Sequence, residues 1–212
     1  MRRSIIYNDR MARQRPIQQI VFDFGGVLMH GEIEAMIPYL ADKYGTAAPV
    51  AFQTRVLDDW RRAMTNPAHD RAFWQCTAQA LHIPVRRLFE EFMAFPKPQK
   101  DVIAIARRLR RSYPLAMLTD QIRSWHLPLM KRFRLHAAFP TVVTSYNEHV
   151  AKPDARIFTR LTDRLGIDPQ VCLIVDDRKE NIRAALHLGM RAVRFTDAAA
   201  LKRELKKMGV SV

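Results

Sequence analysis

The chain has 212 residues, of which 48% are hydrophobic, so it is long enough to bury a core and too apolar for general disorder. Lysine and arginine outnumber aspartate and glutamate by 35 to 21, which gives a formal charge of +14. The two cysteines, Cys76 and Cys172, stand far apart, which argues against a disulfide framework or a zinc knuckle and predicts buried, reduced thiols.

The basic residues occur as scattered pairs, such as Arg61-Arg62 and Arg107-Arg108, on stretches with helical periodicity. They are not interleaved with aromatic residues or gathered into one block, so we expect a basic surface without a nucleic-acid partner. No apolar run reaches the ~20 residues of a membrane span. A signal peptide requires an apolar segment after its basic region, and none follows the arginine-rich first fifteen residues. The sequence therefore predicts a cytoplasmic chain without a membrane partner.

Five short runs of branched apolar residues predict buried strands. They lie after a basic N-terminal extension (1–16) and occupy 20–24, 115–118, 141–144, 171–175 and 192–195. Helices are predicted between them from their start and stop signals. Lys152-Pro153-Asp154 opens one that Gly166 ends, with the proline in the first turn. Another covers 180–188, and Asp197 is predicted to cap the last helix.

Residues 31–96 show no convincing strand. Amphipathic stretches at 33–44, 50–64, 71–81 and 85–95 predict a small helical bundle that is inserted after the first strand. Elsewhere strands alternate with single helices, which predicts an α/β fold with a parallel sheet and right-handed crossovers. The predicted α/β core domain therefore comprises 17–30 and 97–212, and the helical insertion comprises 31–96.

Polar residues stand at the ends of four of these strands. They are Asp23, Thr119, Lys152 and the pair Asp176-Asp177. In an open α/β sheet ligands bind at the carboxyl ends of the strands, so we expect these side chains to meet. A carboxylate nucleophile, a hydroxyl donor, a cation and two metal-binding carboxylates form a complementary set.

Four motifs along the chain resemble those of the haloacid dehalogenase-like hydrolases. In order they are VFDFGGVL at 21–28, Leu118-Thr119-Asp120, Lys152-Pro153, and IVDDRKEN at 174–181. The resemblance covers nearly all of 18–208. Its first motif is similar to the branch that holds the glucose-1-phosphate phosphatase-like proteins and the phosphatase domain of soluble epoxide hydrolase. It implies a Rossmann-like parallel sheet flanked by helices, with an inserted α-helical cap.

The resemblance also implies a Mg²⁺-dependent phosphatase for a small phosphorylated metabolite, with a sugar phosphate as one candidate. Asp23 would attack phosphorus to form an aspartyl-phosphate, while Lys152 and Thr119 would bind phosphoryl oxygens. The implied metal ligands are Asp23, the backbone carbonyl of Gly25, Asp176 and Asp177. Gly26, Asp120 and Asn181 would contact the substrate or support the metal ligands. The protein would be a monomer or a homodimer.

Two positions depart from the pattern of the family that the chain resembles. Gly25 stands where its phosphatases usually carry a second Asp as general acid and base, a group whose loss typically costs ~10²–10⁴-fold. An already acidic leaving oxygen, as in an anomeric sugar phosphate, would rely less on that group. Asp120 stands where Asn is more frequent. At ~5 Å its charge would repel a phosphate by ~3 kcal/mol per unit charge at an effective dielectric of about 20. Either Arg123 or the metal compensates, or the side chain turns away.

Other functions stay open. A haloacid dehalogenase-type hydrolase also uses an Asp nucleophile but needs no metal, so the pair Asp176-Asp177 argues against it. Gly25 and Asp120 favour a protein of weak or lost catalysis that acts in binding or regulation. A nucleic-acid partner depends on the net charge alone.

Residues beyond the first motif are candidates for substrate contacts. They are His30 and Glu32, which lie at the predicted hinge of the insertion. His69, Trp60, Trp74 and Trp125 are expected to pack in the core or in the insertion.

Overall fold

The computed structural model describes residues 15–46 and 49–211, so most of the predicted basic extension lies outside the described residues. The strands are β1 (Gln19–Phe22), β2 (Met29–His30), β3 (Lys97–Pro98), β4 (Leu115–Thr119), β5 (Thr141–Thr144), β6 (Cys172–Asp176) and β7 (Arg191–Arg194). The helices are α1 (Ile33–Tyr44), α2 (Pro49–Thr65), α3 (Asp70–Ala80), α4 (Val85–Ala94), α5 (Lys100–Leu109), α6 (Arg123–Arg132), α7 (Ser145–Glu148), α8 (Ala155–Leu165), α9 (Lys179–His187) and α10 (Ala198–Lys207). No helix in these ranges is long and apolar enough to cross a membrane.

Five strands form one parallel sheet in the order β5-β4-β1-β6-β7, which confirms the predicted α/β fold class. Every residue of β1, β4 and β6 is buried, as expected for strands covered on both faces. Because β1 lies between β4 and β6, the loops after these three strands meet at one edge of the sheet. We call this edge, with Asp23, Thr119, Lys152 and Asp176, the catalytic edge.

The first strand ends earlier than predicted, at Phe22 instead of Phe24. Phe24 belongs to a tight turn in which its carbonyl accepts hydrogen bonds from the amides of Leu28 and Met29. The apolar run therefore extends past the strand into a buried loop, which places Asp23 at the sheet edge.

Helices α1 to α4 lie between β2 and β3, and we refer to them as the helical insertion. β2 and β3 pair antiparallel through Met29 with Pro98 and His30 with Lys97. This two-residue ladder is too short to produce a periodic pattern, so the sequence does not predict it. It brings the two ends of the insertion together beside the sheet.

Hydrogen bonds fix the helical insertion to the α/β core. The Asp70 carboxylate of α3 accepts from the backbone amide of Ser124 at 2.9 Å and from its hydroxyl at 2.5 Å, so it caps the first turn of α6. The Trp125 indole donates to the carbonyl of Phe92 in α4 at 2.8 Å. The insertion is thus held over the sheet by bonds at α3 and α4.

Two local expectations change in the structure. Pro153 lies outside α8, which begins at Ala155 with Asp154 as its N-cap, because the Asp154 carboxylate accepts from the amide of Arg156. Cys76 is half-buried on α3, so the prediction of a buried thiol is confirmed only for Cys172. The predicted cap at Asp197 is confirmed, since its carboxylate accepts from the amide of Ala200 at 2.8 Å.

Candidate active site

Asp23 stands directly after β1, and its position is fixed from both sides. Its backbone amide donates to the carbonyl of Val175 in β6, which continues the sheet ladder. Its carboxylate Oδ1 accepts from the amide of Phe24 at 2.7 Å and lies 2.9 Å from the Lys152 Nζ. The residue is 8% exposed. One carboxylate oxygen of the predicted nucleophile is therefore held, and this orients the other.

Lys152 is the cation of the catalytic edge. Its Nζ lies 2.8 Å from Asp176 Oδ2 and 2.9 Å from Asp23 Oδ1, and it donates to the carbonyl of Leu118 at 3.1 Å. Burial alone lowers the pKa of this ammonium, but the carboxylates of Asp176, Asp23 and Asp120 outweigh it and raise the pKa above its usual value. Lys152 is therefore charged throughout the physiological range.

Asp176 ends β6 and has no exposed surface. Its Oδ1 accepts from the amide of Arg178 at 2.9 Å, and its Oδ2 from Lys152 at 2.8 Å. The side-chain amide of Asn181 donates to both oxygens, at 2.9 and 3.0 Å. Asn181 therefore orients Asp176, which in turn positions Lys152.

The three aspartates predicted to bind a metal do come together. Asp23, Asp176 and Asp177 each place one carboxylate oxygen within 4.8 Å of the others. Burial, followed by the charge of Asp176, raises the pKa of the Asp177 carboxyl. A divalent cation would relieve this crowding of negative charge, and carboxylate oxygens are the ligands that hard cations such as Mg²⁺ prefer. The donor set fits such an ion. Asp177 is the more available ligand, because the Asp176 carboxylate already accepts hydrogen bonds from Lys152 and Asn181.

Gly26 of the first motif allows this close approach of carboxylates. Gly26 has a φ of +71°, and a Cβ added to it would lie 2.6 Å from Asp177 Oδ2 and 2.3 Å from Glu32 Oε1. A side chain at this position would displace both carboxylates. The Gly26 carbonyl accepts from the side chain of Gln99 at 2.9 Å, and Gly25 lines the cavity beside Asp23.

Thr119 and Asp120 follow each other at the end of β4. Thr119 is fully buried, and its hydroxyl has no hydrogen-bond partner within the part of the chain that the structure describes. The Asp120 carboxylate accepts from the backbone amide of Lys152 at 3.1 and 3.2 Å. Burial raises the pKa of Asp120, and Lys152 opposes that shift. Arg123 is exposed, and the Asp120 carboxylate is held by the Lys152 backbone amide instead.

A cavity of about 360 Å³ opens above Asp23, between the sheet and the helical insertion. The core contributes Asp23, Gly25, Asp120, Gln121, Trp125 and Lys152 to its wall. The insertion and the loop before it contribute Glu32, Leu57, Trp60, Arg61, Met64 and Thr65. The volume lies at the small end of the ~300–1,000 Å³ range of ligand pockets.

Only some of the residues predicted to contact substrate or to pack in the insertion line the cavity. Glu32 lines the cavity, where burial and then the charge of Asp177 raise the pKa of its carboxyl. His30 is exposed on β2 and does not line the cavity. Trp60 and Trp125 pack as expected but also form part of the cavity wall. Gln121 was missed, because nothing in the sequence distinguishes it from an ordinary loop residue.

Comparisons with known proteins bear on this site. Glyceraldehyde 3-phosphate phosphatase of Methanopyrus kandleri is 34% identical over 104 residues, which cover 48% of this chain and 45% of that protein. Phosphorylated carbohydrates phosphatase of Thermotoga maritima is 21% identical over 183 residues, 84% of each chain. (S)-2-haloacid dehalogenase 4A of Burkholderia cepacia is 24% identical over 199 residues, 84% of this chain and 83% of that protein. The chain spans less than half the length of two of the curated relatives that it matches, 36% and 45%.

Solved structures show the same fold. The crystal structure of a haloacid dehalogenase family enzyme from Bacteroides thetaiotaomicron, in complex with magnesium and inorganic phosphate, has a TM-score of 0.71 and 20% identity. The match covers 85% of this chain and 94% of that chain. A family model described as haloacid dehalogenase-like hydrolase matches residues 17–189 of this chain. The ordered motifs, the parallel sheet and this match together establish that the chain belongs to the haloacid dehalogenase-like hydrolases.

Proposed function

We propose that this protein is a Mg²⁺-dependent phosphatase that hydrolyses a small phosphorylated metabolite through an aspartyl-phosphate on Asp23. One observation carries the proposal. The buried Lys152 ammonium bridges Asp23 and Asp176 at 2.9 and 2.8 Å, and Asp177 offers an oxygen beside them, next to a cavity that Asp23 and Lys152 line. A nucleophile, a fixed cation and a divalent-cation site are the parts that phosphoryl transfer requires.

The chain's own residues divide the reaction between them. Asp23 Oδ1 is held by the Phe24 amide and by Lys152, so the other oxygen, Oδ2, attacks phosphorus. The bond from Asp23 Oδ2 to phosphorus forms as the bond from phosphorus to the ester oxygen breaks, and the leaving oxygen takes a proton from solvent water. Water then attacks phosphorus and loses a proton to solvent, which releases inorganic phosphate and restores the Asp23 carboxylate. Lys152 and the unpartnered hydroxyl of Thr119 bind phosphoryl oxygens throughout.

Asp23, Asp177 and the Gly25 carbonyl would hold the Mg²⁺ ion, while Asp176 stays hydrogen-bonded to Lys152, Asn181 and the Arg178 amide. When bound, the ion supplies positive charge that offsets repulsion between the nucleophile and the phosphate dianion. The relatives named as phosphatases, and the magnesium and phosphate in the Bacteroides structure, support this assignment.

The test is phosphate release from a panel of phosphomonoesters with Mg²⁺ and with excess EDTA. We expect Mg²⁺-dependent turnover that Asp23→Asn lowers by at least ~10⁴-fold, since an amide is a poor nucleophile. Asp163→Asn is the matched control, because Asp163 is an exposed residue of α8. It should retain full activity. Equal release in EDTA, or in Asp23→Asn, would contradict the proposal.

A dehalogenase is the second candidate, because the similarity to the Burkholderia enzyme spans 84% of the chain. Such an enzyme would also attack through Asp23, but at carbon and without a metal. Chloride release from 2-chloropropionate in EDTA would favour it. Phosphate binding without any turnover would favour a binding or regulatory protein.

A further inference from the structure

Gln121, on the loop after β4, lines the cavity, and the proposed reaction leaves its side-chain amide unused. Gln121 is buried, and its backbone amide donates to the hydroxyl of Ser145 at 3.2 Å, which fixes the loop. Its side-chain Oε1 is buried and has no hydrogen-bond partner in the described chain. Native proteins satisfy nearly all such groups, so this oxygen indicates a ligand or a water.

The Gln121 amide lies beside Gly25. Gly25 has no positive φ, so its backbone admits a side chain. A Cβ added there would lie 3.4 Å from Gln121 Nε2 and 3.8 Å from Glu32 Cγ. Gln121 and Glu32 therefore lie beside Gly25, which stands two residues after Asp23 in the chain.

The chemistry of the wall selects hydroxyl groups. A primary amide offers an acceptor oxygen and two N–H donors, and a hydroxyl can engage both kinds of group. The cations of the wall are already paired: Arg61 with Asp58 at 2.7 Å and Arg178 with Glu34 at 2.5 Å. With Lys152 held by Asp23 and Asp176, the wall formed by the described residues offers no unpaired cation to a substrate carboxylate.

The other side of the cavity is apolar. Leu57, Trp60 and Met64 of α2 and Trp125 of α6 line it. A polyol or a sugar has hydroxyls on one side and C–H groups on another, and this matches a cavity with one hydrogen-bonding and one apolar wall. The volume of about 360 Å³ suits a small skeleton of this kind.

Building on the proposed phosphatase function, we propose that Gln121 is a specificity-determining residue that hydrogen-bonds a substrate hydroxyl on the carbon next to the phosphorylated one. The substrate class is then the phosphomonoesters of polyols and small sugars. Gln121 binds the alcohol portion of the ester, exchanges no proton and leaves the attack by Asp23 unaltered.

The test compares two esters that differ by one hydroxyl, 2-hydroxypropyl phosphate and n-propyl phosphate, with Mg²⁺ present. We expect wild-type kcat/KM to favour the hydroxylated ester by ~10–100-fold, because the analogue leaves the amide unpaired. Gln121→Met keeps the length of the side chain and removes the amide. It should bring the ratio within ~3-fold of one, through loss of turnover of the hydroxylated ester alone.

Gln79→Met, on the exposed face of α3, is the matched control and should keep the wild-type ratio. Gln121→Asn is a second variant that retains an amide at shorter reach, and its ratio should lie between those of wild type and Gln121→Met. Loss of both esters in equal proportion would assign Gln121 a merely structural role and overturn the inference. So would a wild-type ratio near one, and the phosphatase function would survive either result. Failure of wild type to hydrolyse either ester or p-nitrophenyl phosphate would overturn the phosphatase function and this inference together.

Discussion

The catalytic edge of the sheet and the helical insertion above it are built from different interactions. At the edge, buried polar groups from four separate chain segments are held by hydrogen bonds and ion pairs of 2.7 to 3.2 Å. In the insertion, an aromatic cluster of Trp60, Phe73, Trp74 and Phe92, with Trp125 from α6, packs with ring centroids 4.8 to 6.3 Å apart. Directional bonds fix reacting atoms, whereas aromatic packing shapes the cavity above them.

The two regions nevertheless share one apolar core. The buried cluster that contains Ile20 and Phe22 of β1 continues without interruption into Trp60 and Phe73 of the insertion. The insertion therefore lacks a separate hydrophobic core. We expect edge and insertion to unfold together, even though substitutions in them affect activity very differently.

After Asp23→Asn, the largest effect should come from removing the cation of the edge. Lys152→Met leaves the buried carboxylates of Asp23 and Asp176 facing each other, so kcat/KM should fall by at least ~10³-fold. Breaking a buried pair also costs about 3–5 kcal/mol in the free energy of unfolding. Steady-state kinetics and urea denaturation measure the two effects. Lys202→Met, on the exposed surface of α10, should change neither. Retained activity in Lys152→Met would remove the ammonium from the mechanism.

A substitution in the aromatic cluster should cost stability but little chemistry. Phe73 is 1% exposed and does not line the cavity, so Phe73→Ala should lower the free energy of unfolding by about 3–5 kcal/mol. Well below the melting temperature, kcat should stay within ~3-fold of wild type, because the catalytic groups are untouched.

The same variant tests the shared core. Tryptophan fluorescence, which reports on the cluster, and far-UV circular dichroism should give coincident urea transitions in wild type and in Phe73→Ala. Leu127→Ala, on the exposed side of α6, is the control and should shift them by less than ~0.5 kcal/mol. An earlier fluorescence transition would show that the insertion unfolds by itself.

A smaller effect, on the free energy of unfolding at acid pH, should come from a buried histidine near the catalytic edge. His126 of α6 is buried, with its Nδ1 3.1 Å from the Tyr146 hydroxyl and its ring 5.1 Å from that of Phe24. Burial, with a minor contribution from His136, lowers the pKa of His126 from 6.5 to about 3. The unfolded chain therefore binds a proton below about pH 6.5 that the folded protein does not bind. The stabilisation is complete above that pH and is lost as the pH falls from about 6.5 towards 3.

As the pH falls, His126 alone should lower the free energy of unfolding by about 1.4 kcal/mol per pH unit, or ~2–3 kcal/mol between pH 6.5 and 4.5. His126→Gln cannot titrate, so its stability deficit relative to wild type should shrink by that amount over the same interval. Urea denaturation at the two pH values measures it. His187→Gln, on the exposed face of α9, should leave the difference unchanged. A constant deficit for His126→Gln would mean that the folded protein accommodates the protonated ring.

The smallest effect is expected at Asp120. Its carboxylate accepts from the Lys152 amide, and an Asn side-chain oxygen can accept the same bond without repelling a phosphate. Asp120→Asn should therefore keep phosphatase kcat/KM equal to wild type or raise it by a few fold. Phosphate release under the conditions of the Asp23→Asn test measures it. A large loss would assign the carboxylate an active role.

Much of the fold was predictable because its signals are local. Runs of branched apolar residues located all five strands of the sheet to within one or two residues, and Ile33–Tyr44 was predicted as a helix with its observed limits. Asp197 correctly predicted the start of α10, because an N-cap residue bonds to backbone amides within the first helical turn. Predicted and observed strand ends differ where an apolar residue belongs to a buried loop, as Phe24 does.

The candidate site was predictable only in part. Asp23 and Asp176 could be named because they stand at the ends of strands of a parallel sheet, which converge, and Lys152 because it begins the predicted helix after β5. Asn181 could be named as a supporting residue because it lies five residues after Asp176, to which it donates. The donation of the Lys152 amide to Asp120 could not be predicted, because the two residues are 32 positions apart and no local pattern joins them.

By itself the sequence determined the α/β class and the positions of the strands, because backbone preferences and hydrophobic periodicity act over a few neighbouring residues. Only the tertiary structure decided which oxygen of Asp23 is held, where Asp120 turns and that Gln121 lies beside Gly25. These features depend on contacts between segments about 30 to 130 residues apart, where burial and charge balance determine the partner of each side chain.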